Sequence, residues 1–339
     1  RNSSKLCSSI KLASMNTRSV FFALVLCLAA IVSCAEENKV VYGNDDRTEP
    51  YTITDSDILT LIQADVAIMY SWQLSKKSGE YKLTEYGDYT GIQCPSSYVE
   101  FCDSEPFKGQ IEAAFCSGFL IRNDNSSRIV TAGHCLSGMD CGSMAFVFDF
   151  KMSSASSIDT SFPSNNVYFC KKYYYELDSS TNMDFGVVEL DRKVSGRTAL
   201  PYRTSGTITA GTNLVMVGHP TGIPMKVDQG AEVQSVASVR FSANTDSYAG
   251  NSGSMIVNAI TGEVEGILVE GNQDFKVNTA SSCCQSNVCS DVTGCGGTFE
   301  IVSKISQASP YFYSDLPYDD AWSMQPIMLL VVVLALLAL

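Results

Sequence analysis

Phe115-Cys116-Ser117-Gly118-Phe119-Leu120-Ile121-Arg122 is followed by the turn formers Asn123-Asp124-Asn125 and then by Arg128-Ile129-Val130-Thr131-Ala132-Gly133-His134-Cys135. Two apolar runs rich in β-formers, separated by turn residues, read as two short strands, the second delivering a histidine and a cysteine at its end. The same pattern continues outward. Strands are expected over Met144–Phe150, Phe185–Leu190, Thr212–Val217, Ala231–Val239, Ser254–Val257 and Val264–Val269, with Gly218-His219-Pro220 and Ile260-Thr261-Gly262 among the turns between them. Many short strands and few helical windows predict an all-β protein, a sandwich or a barrel. A short helix is expected at the start of Ile58–Trp72. A closing helix is expected over Phe299–Ile305, where Phe299, Val302 and Ile305 fall on one face. Arg192–Gly206 reads as the link between two β units, and there is no internal repeat.

Three chemically coupled residues stand in local runs of their own. His134 lies in Thr131–Cys135, Asp184 in Met183-Asp184-Phe185-Gly186-Val187-Val188-Glu189-Leu190, and Ser252 in Gly250-Asn251-Ser252-Gly253-Ser254, 118 residues after the histidine. A serine hydroxyl attacks an amide only when a base takes its proton. Histidine suits that task because imidazole titrates near neutrality, and a buried carboxylate fixes its tautomer. The chain has only two histidines; His219, in Gly218-His219-Pro220, reads as a satisfied turn residue. Asp184 precedes an apolar strand that can bury it, whereas Asp191 neighbours Arg192 and Lys193 and reads as solvated. Gly250 and Gly253 permit a tight turn around Ser252, able to aim the N–H groups of Gly250 and Ser252 at a developing oxyanion.

These runs, with Phe115–Ile121, resemble the chymotrypsin-fold (trypsin-like) serine peptidases. The Gly-Asn-Ser-Gly-Ser form of Gly250–Ser254, the stretch Val41-Tyr42-Gly43-Asn44-Asp45-Asp46-Arg47, Gly218-His219-Pro220 and Val264–Val269 are similar to the bacterial-type branch that includes the glutamyl endopeptidases. The resemblance runs from about residue 40 to 305. It implies two six-stranded antiparallel β-barrels, about 52–198 and 199–305, with a His134-Asp184-Ser252 triad between them, and a Cys116–Cys135 disulfide behind the histidine. The sequence departs from the animal trypsins at Asn251, where those enzymes carry an aspartate that pairs with a newly cut N-terminus. Asp246, six residues before Ser252, stands at the spacing of the trypsin S1 aspartate, which implies a preference for Arg or Lys at P1. The stretch Ile267-Leu268-Val269 lacks the histidine that glutamyl endopeptidases carry there, which argues against acidic P1 residues. No cofactor and no metal are expected.

Composition bounds the setting. Of 339 residues, 17% are charged and 45% hydrophobic, enough apolar material for a large core and unlike a disordered chain. The net charge of −13 argues against nucleic-acid binding and suits cationic partners or substrates. Residues 1–14 read as upstream sequence. Residues 15–35 have a basic start, an apolar Val20–Val32 and the small residues Ser33 and Ala35, and read as a signal peptide. Residues 36–51 are expected to be an arm or propeptide, 52–309 the peptidase domain, and 310–339 a spacer with an apolar tail. Ten of the 13 cysteines follow the leader, an even number that fits disulfides in a secreted chain. Zinc is disfavoured at the last four, which have no Cys-x-x-Cys pair and no nearby histidine. Asn125-Ser126-Ser127 is a glycosylation sequon. The tail 327–339 is too short to span a bilayer and reads as a GPI-attachment signal, with Ser314 near the attachment point, or as a packing tail. The expectation is a secreted or surface-attached monomer acting on protein or peptide substrates. The rival readings are a catalytically silent binding module of the same fold and an esterase. The latter lacks a Gly-x-Ser-x-Gly elbow.

Overall fold

The computed structural model describes residues 40–94, 97–124 and 127–316. The leader, residues 36–39 of the arm, Asn125 and the apolar tail lie outside the described residues. Helix α1 (Ser56–Ala64) is capped by Asp55, whose side chain accepts the N–H groups of Asp57 and Ile58, and it buries Ile58, Leu61 and Ile62 at helical spacing. It leads into the first of six strands: β1 (Asp65–Tyr70), β2 (Cys116–Ile121), β3 (Arg128–Thr131), β4 (Met144–Val147), β5 (Val167–Asp178) and β6 (Met183–Leu190). They close, all antiparallel, in the order β3-β6-β5-β4-β1-β2. Closure leaves no edge, so every residue of β2 and β3 can be buried, and is.

A second sheet holds β7 (Leu214–Gly218), β8 (Lys226–Asp228), β9 (Val233–Val236), β10 (Arg240–Ala243), β11 (Met255–Asn258), β12 (Val264–Glu270) and β13 (Glu300–Lys304), in the order β8-β7-β11-β12-β13-β10-β9. One run of chain serves both of its ends. Residues 226–228 pair with β7, and Val233 pairs with Ala243 of β10. Between them Leu214 N–H donates to Ala231 O (2.8 Å) and Val233 N–H to Thr212 O (3.0 Å), which curls the sheet back on itself. One closed six-stranded barrel and one curled half-barrel are the chymotrypsin-like double barrel that the sequence implied.

Two details differ from the expectation. Phe299–Ile305 is not a helix: Glu300–Lys304 is strand β13, hydrogen-bonded to β12 and β10 on its two sides, and two 3-10 turns, Ile305–Gln307 and Ser309–Tyr311, follow it. Pairing on both edges outweighs the helical spacing of three apolar residues. The longest strand, β5, was not foreseen, because a register shift between Cys170 and Lys172 breaks its two-residue alternation.

All ten cysteines of the described residues are paired: Cys94–Cys284, Cys102–Cys283, Cys116–Cys135, Cys141–Cys170 and Cys289–Cys295. The first two bind the long excursion between β1 and β2 to the loop between β12 and β13. Tyr89, Phe101, Tyr248 and Phe275 pack together beneath them. No helix among the described residues is long and apolar enough to cross a membrane.

Candidate active site

β3 ends at Thr131, and the chain turns through Ala132 and Gly133 to present His134. A Cβ at Gly133 would sit 2.3 Å from the carbonyl oxygen of Glu176 and 2.9 Å from that of Phe185, so only glycine allows the turn to lie this close to β5 and β6. β6 supplies Asp184, 3% exposed. Its Oδ1 accepts the N–H groups of Gly133 (2.6 Å) and His134 (3.1 Å), and its Oδ2 lies 2.7 Å from His134 Nδ1. A carboxylate facing Nδ1 selects the tautomer with its proton there and leaves Nε2 as the basic nitrogen.

Ser252 lies in the turn before β11, fully buried. Its carbonyl accepts Ser117 N–H (2.9 Å) from β2 and lies 3.6 Å from Sγ of Cys135, the residue after His134. Cys135 is bonded to Cys116, as the resemblance implied. The serine turn and the histidine turn are therefore tied to the same piece of β2. Ligand-type atoms of Cys116, His134 and Cys135 lie within 4.8 Å of one another, but both sulfurs are spent in the disulfide and offer no thiolate to a metal.

The turn runs through two left-handed glycines, Gly250 (φ +91°) and Gly253 (φ +89°). Two of its carbonyls are held from behind: Ala249 O accepts Thr221 N–H, and Asn251 O accepts Ser254 N–H (2.8 Å). In a trans peptide the N–H points opposite to the C=O. The N–H groups of Gly250 and Ser252, which share peptide planes with these carbonyls, therefore turn the other way. Asn251 is buried, and its N–H donates to Tyr248 O (3.0 Å).

Asp246 needs correcting. A P1-reading carboxylate has to be open to a substrate side chain. Asp246 is 3% exposed, and both of its oxygens are taken by the N-terminal arm: Oδ1 by Tyr42 N–H (2.7 Å) and Oδ2 by Asp46 N–H (2.9 Å). Residues 41–42 also pair in parallel with Val288–Cys289, so the described part of the expected arm is packed into the body. Burial, and then the charge of Asp228 beside it, push the Asp246 carboxyl up to about 8. The unfolded chain releases this proton near 3.8 and the folded chain near 8, so the native state holds more protons between those values, and this contribution to stability is lost as pH rises through 8. The thermal midpoint should accordingly fall between pH 5 and 8 more steeply in the wild type than in Asp246→Asn, with the two slopes converging above pH 8. Equal slopes would refute this account.

His219 is a partnered histidine, as expected, but it is fully buried. Its Nε2 lies 2.8 Å from Asp65 Oδ2, and its Nδ1 lies 3.1 Å from Ile223 O. Sequence reasoning missed Asp65, Ser117 and Glu300. Glu300 is a buried carboxylate bonded by Ser247 Oγ (2.8 Å) and Tyr42 OH (3.2 Å). The usable signal at Ser117 was a hydroxyl inside an otherwise apolar strand; at Asp65 it was an acid directly before one.

Residues 116–267 match the trypsin-like peptidase domain family. No curated protein matches the chain significantly. Similar solved structures include a Glu endopeptidase in complex with MPD, at 15% identity over 80% of this chain and 97% of that one, with a TM-score of 0.44. The VesB protease of Vibrio cholerae is similar at 15% identity over 80% and 66% of the two chains, with a TM-score of 0.46. The stretch that matches the trypsin-like peptidase domain family thus runs from the disulfide-bonded β2 through the Ser252 turn into β12, and it spans both the closed barrel and the curled sheet.

Proposed function

We propose that this chain is a secreted serine endopeptidase in which Ser252 is the nucleophile, His134 the base and then the acid, and Asp184 the residue that orients the histidine. The observation that carries this reading is the three-point hold on Asp184, with Oδ1 on two backbone N–H groups and Oδ2 on His134 Nδ1. That arrangement gives the imidazole one orientation and one tautomer. His134 takes the proton of Ser252 as its oxygen attacks the scissile carbonyl. The resulting oxyanion faces the N–H groups of Gly250 and Ser252. The imidazolium protonates the leaving amine, an acyl-enzyme remains, and water activated by the same histidine releases the acid. No step calls for a cofactor.

The substrates are proteins or peptides, and the acidity of the chain favours basic ones. Cleavage after Arg or Lys by way of Asp246 requires the arm to leave that carboxylate. Five disulfides and the composition of the leader support an extracellular setting, and the terminal apolar run supports attachment to a surface by a GPI group or by the tail itself.

The test is covalent. A fluorophosphonate should label wild-type protein at Ser252 and fail to label Ser252→Ala. Peptides matched except for Arg, Glu or Phe at P1 should be cleaved by the wild type alone. A folded chain that never labels would favour the binding-module reading, and turnover of esters without peptides would favour the esterase.

A further inference from the structure

The mechanism leaves unused a buried acid and histidine in contact, Asp65 and His219, which come from the two different barrels. Asp65 opens β1 and His219 follows β7. Both side chains are fully buried, and the Asp65 carboxyl is raised by burial, an effect the neighbouring His219 partly offsets. His219 also stacks on Phe150, with ring centroids 5.6 Å apart. A pair this far from solvent is costly to build and strongly holds whatever backbone it anchors. What it anchors is the turn Pro220–Gly222, in which Thr221 adopts a left-handed φ of +50°.

That turn lies against the nucleophile turn. A Cβ on Gly250 would meet His219 O at 2.6 Å and Gly222 N at 2.7 Å. Thr221 N–H holds Ala249 O, whose peptide carries the Gly250 N–H. Ser117 joins the two turns from below: its Oγ accepts His219 N–H (2.9 Å) and donates to Gly250 O (2.8 Å), while its own N–H holds Ser252 O (2.9 Å). Its carbonyl in turn accepts Thr131 Oγ1–H (2.7 Å), from the strand that ends at the histidine turn.

Resting on the peptidase reading above, we propose that the Asp65–His219 pair and Ser117 are positioning residues that set the aim of the oxyanion-binding N–H groups. Asp65 and His219 fix the turn that bears Thr221. Thr221 fixes the plane of the 249–250 peptide. Ser117 fixes the next carbonyl and ties both turns to β2. None of these side chains needs to touch substrate. Their loss leaves the ground-state complex intact and weakens only what develops in the transition state.

The experiment compares wild type, Ser117→Ala, His219→Gln and Asp65→Asn on one cleaved peptide, and on the same peptide carrying a C-terminal aldehyde, which forms a tetrahedral adduct with a serine hydroxyl. Ser117→Ala and His219→Gln should lower kcat about 10- to 100-fold, below the ~10²–10³ of deleting an oxyanion donor outright. KM should stay within about twofold, and Ki for the aldehyde should rise in step with the loss in kcat, since a transition-state mimic loses what the transition state loses. Asp65→Asn retains an oxygen to face His219 and should stay near wild type. A residue that served folding alone would lower the amount of active enzyme and leave the ratio of aldehyde Ki to KM unchanged. That result in folded Ser117→Ala and His219→Gln, beside normal wild-type turnover, would overturn the positioning role alone. If His219→Gln does not fold, Ser117→Ala decides by itself. Wild-type protein that neither labels nor cleaves would overturn this inference together with the peptidase reading.

Discussion

Asp184→Asn should fold normally and lose about 10⁴-fold in kcat, the size known for this change in the prototype of the fold. The direction follows from the local hydrogen bonds. An asparagine at 184 has one oxygen and one NH₂ to place. The Oδ1 position faces two fixed donors, Gly133 N–H and His134 N–H, at 2.6 and 3.1 Å, so the oxygen must go there. The NH₂ then points at His134 Nδ1, 2.7 Å away. To accept that hydrogen bond the imidazole must move its proton to Nε2, which removes the base from the side where Ser252 needs it. The change is nearly isosteric, and the buried Oδ1 contacts survive. Steady-state kinetics at neutral pH beside a thermal melt checks this. A variant within tenfold of wild type would mean that Asp184 does not set the tautomer, and the triad assignment would fall with it.

Gly253→Ala should yield little or no folded protein. Its φ of +89° is a conformation that alanine resists, and the added Cβ would lie 2.1 Å from Ser117 O and 2.2 Å from Thr131 Oγ1. Neither atom can give way. Ser117 O holds the Thr131 hydroxyl at 2.7 Å, and the Ser117 N–H holds Ser252, so movement on one side breaks the other. Strain and overlap together should exceed ~4 kcal/mol, a large part of the stability of a domain. Gly262→Ala is the control: its φ is also positive, at +68°, but no atom stands within 4 Å of the new methyl, and it should cost only ~1–2 kcal/mol. Denaturant melts that give the two variants equal stability would show that the close approach at Gly253 is softer than it looks.

The strands that could be read from sequence were those whose residues obey one local rule throughout. β2, β3 and β12 are apolar runs bounded by turn formers, and they appear within a residue or two of where the sequence placed them. β5 is hidden by its register shift, and β13 fits a helix as well as a strand in sequence because three apolar residues cannot distinguish two periods without knowing what flanks them. The site divides in the same way. His134, Asp184 and Ser252 stand out in sequence because the proposed chemistry demands those residue types in recognisable surroundings, and the fold brings Asp184 to His134. Asp246 was misplaced because spacing to Ser252 says nothing of residues 42 and 46, which are some 200 positions away and cover its oxygens. Asp65 and Ser117 stand out locally, but what they hold was not legible for the same reason: their partners, His219 and Gly250, lie 154 and 133 positions on, and only the folded chain brings them together.

Cys283 and Cys284 are neighbours in sequence, yet they hold Cys284–Cys94 and Cys283–Cys102, two points of an excursion that leaves the other barrel. The two halves of the molecule are therefore joined twice by sulfur as well as once by the segment after β6. A scission of that segment, or of the stretch between Cys94 and Cys102, leaves a single covalent body with its halves still in register. On the peptidase reading this is endurance: a nick in either place severs a peptide bond without parting the halves.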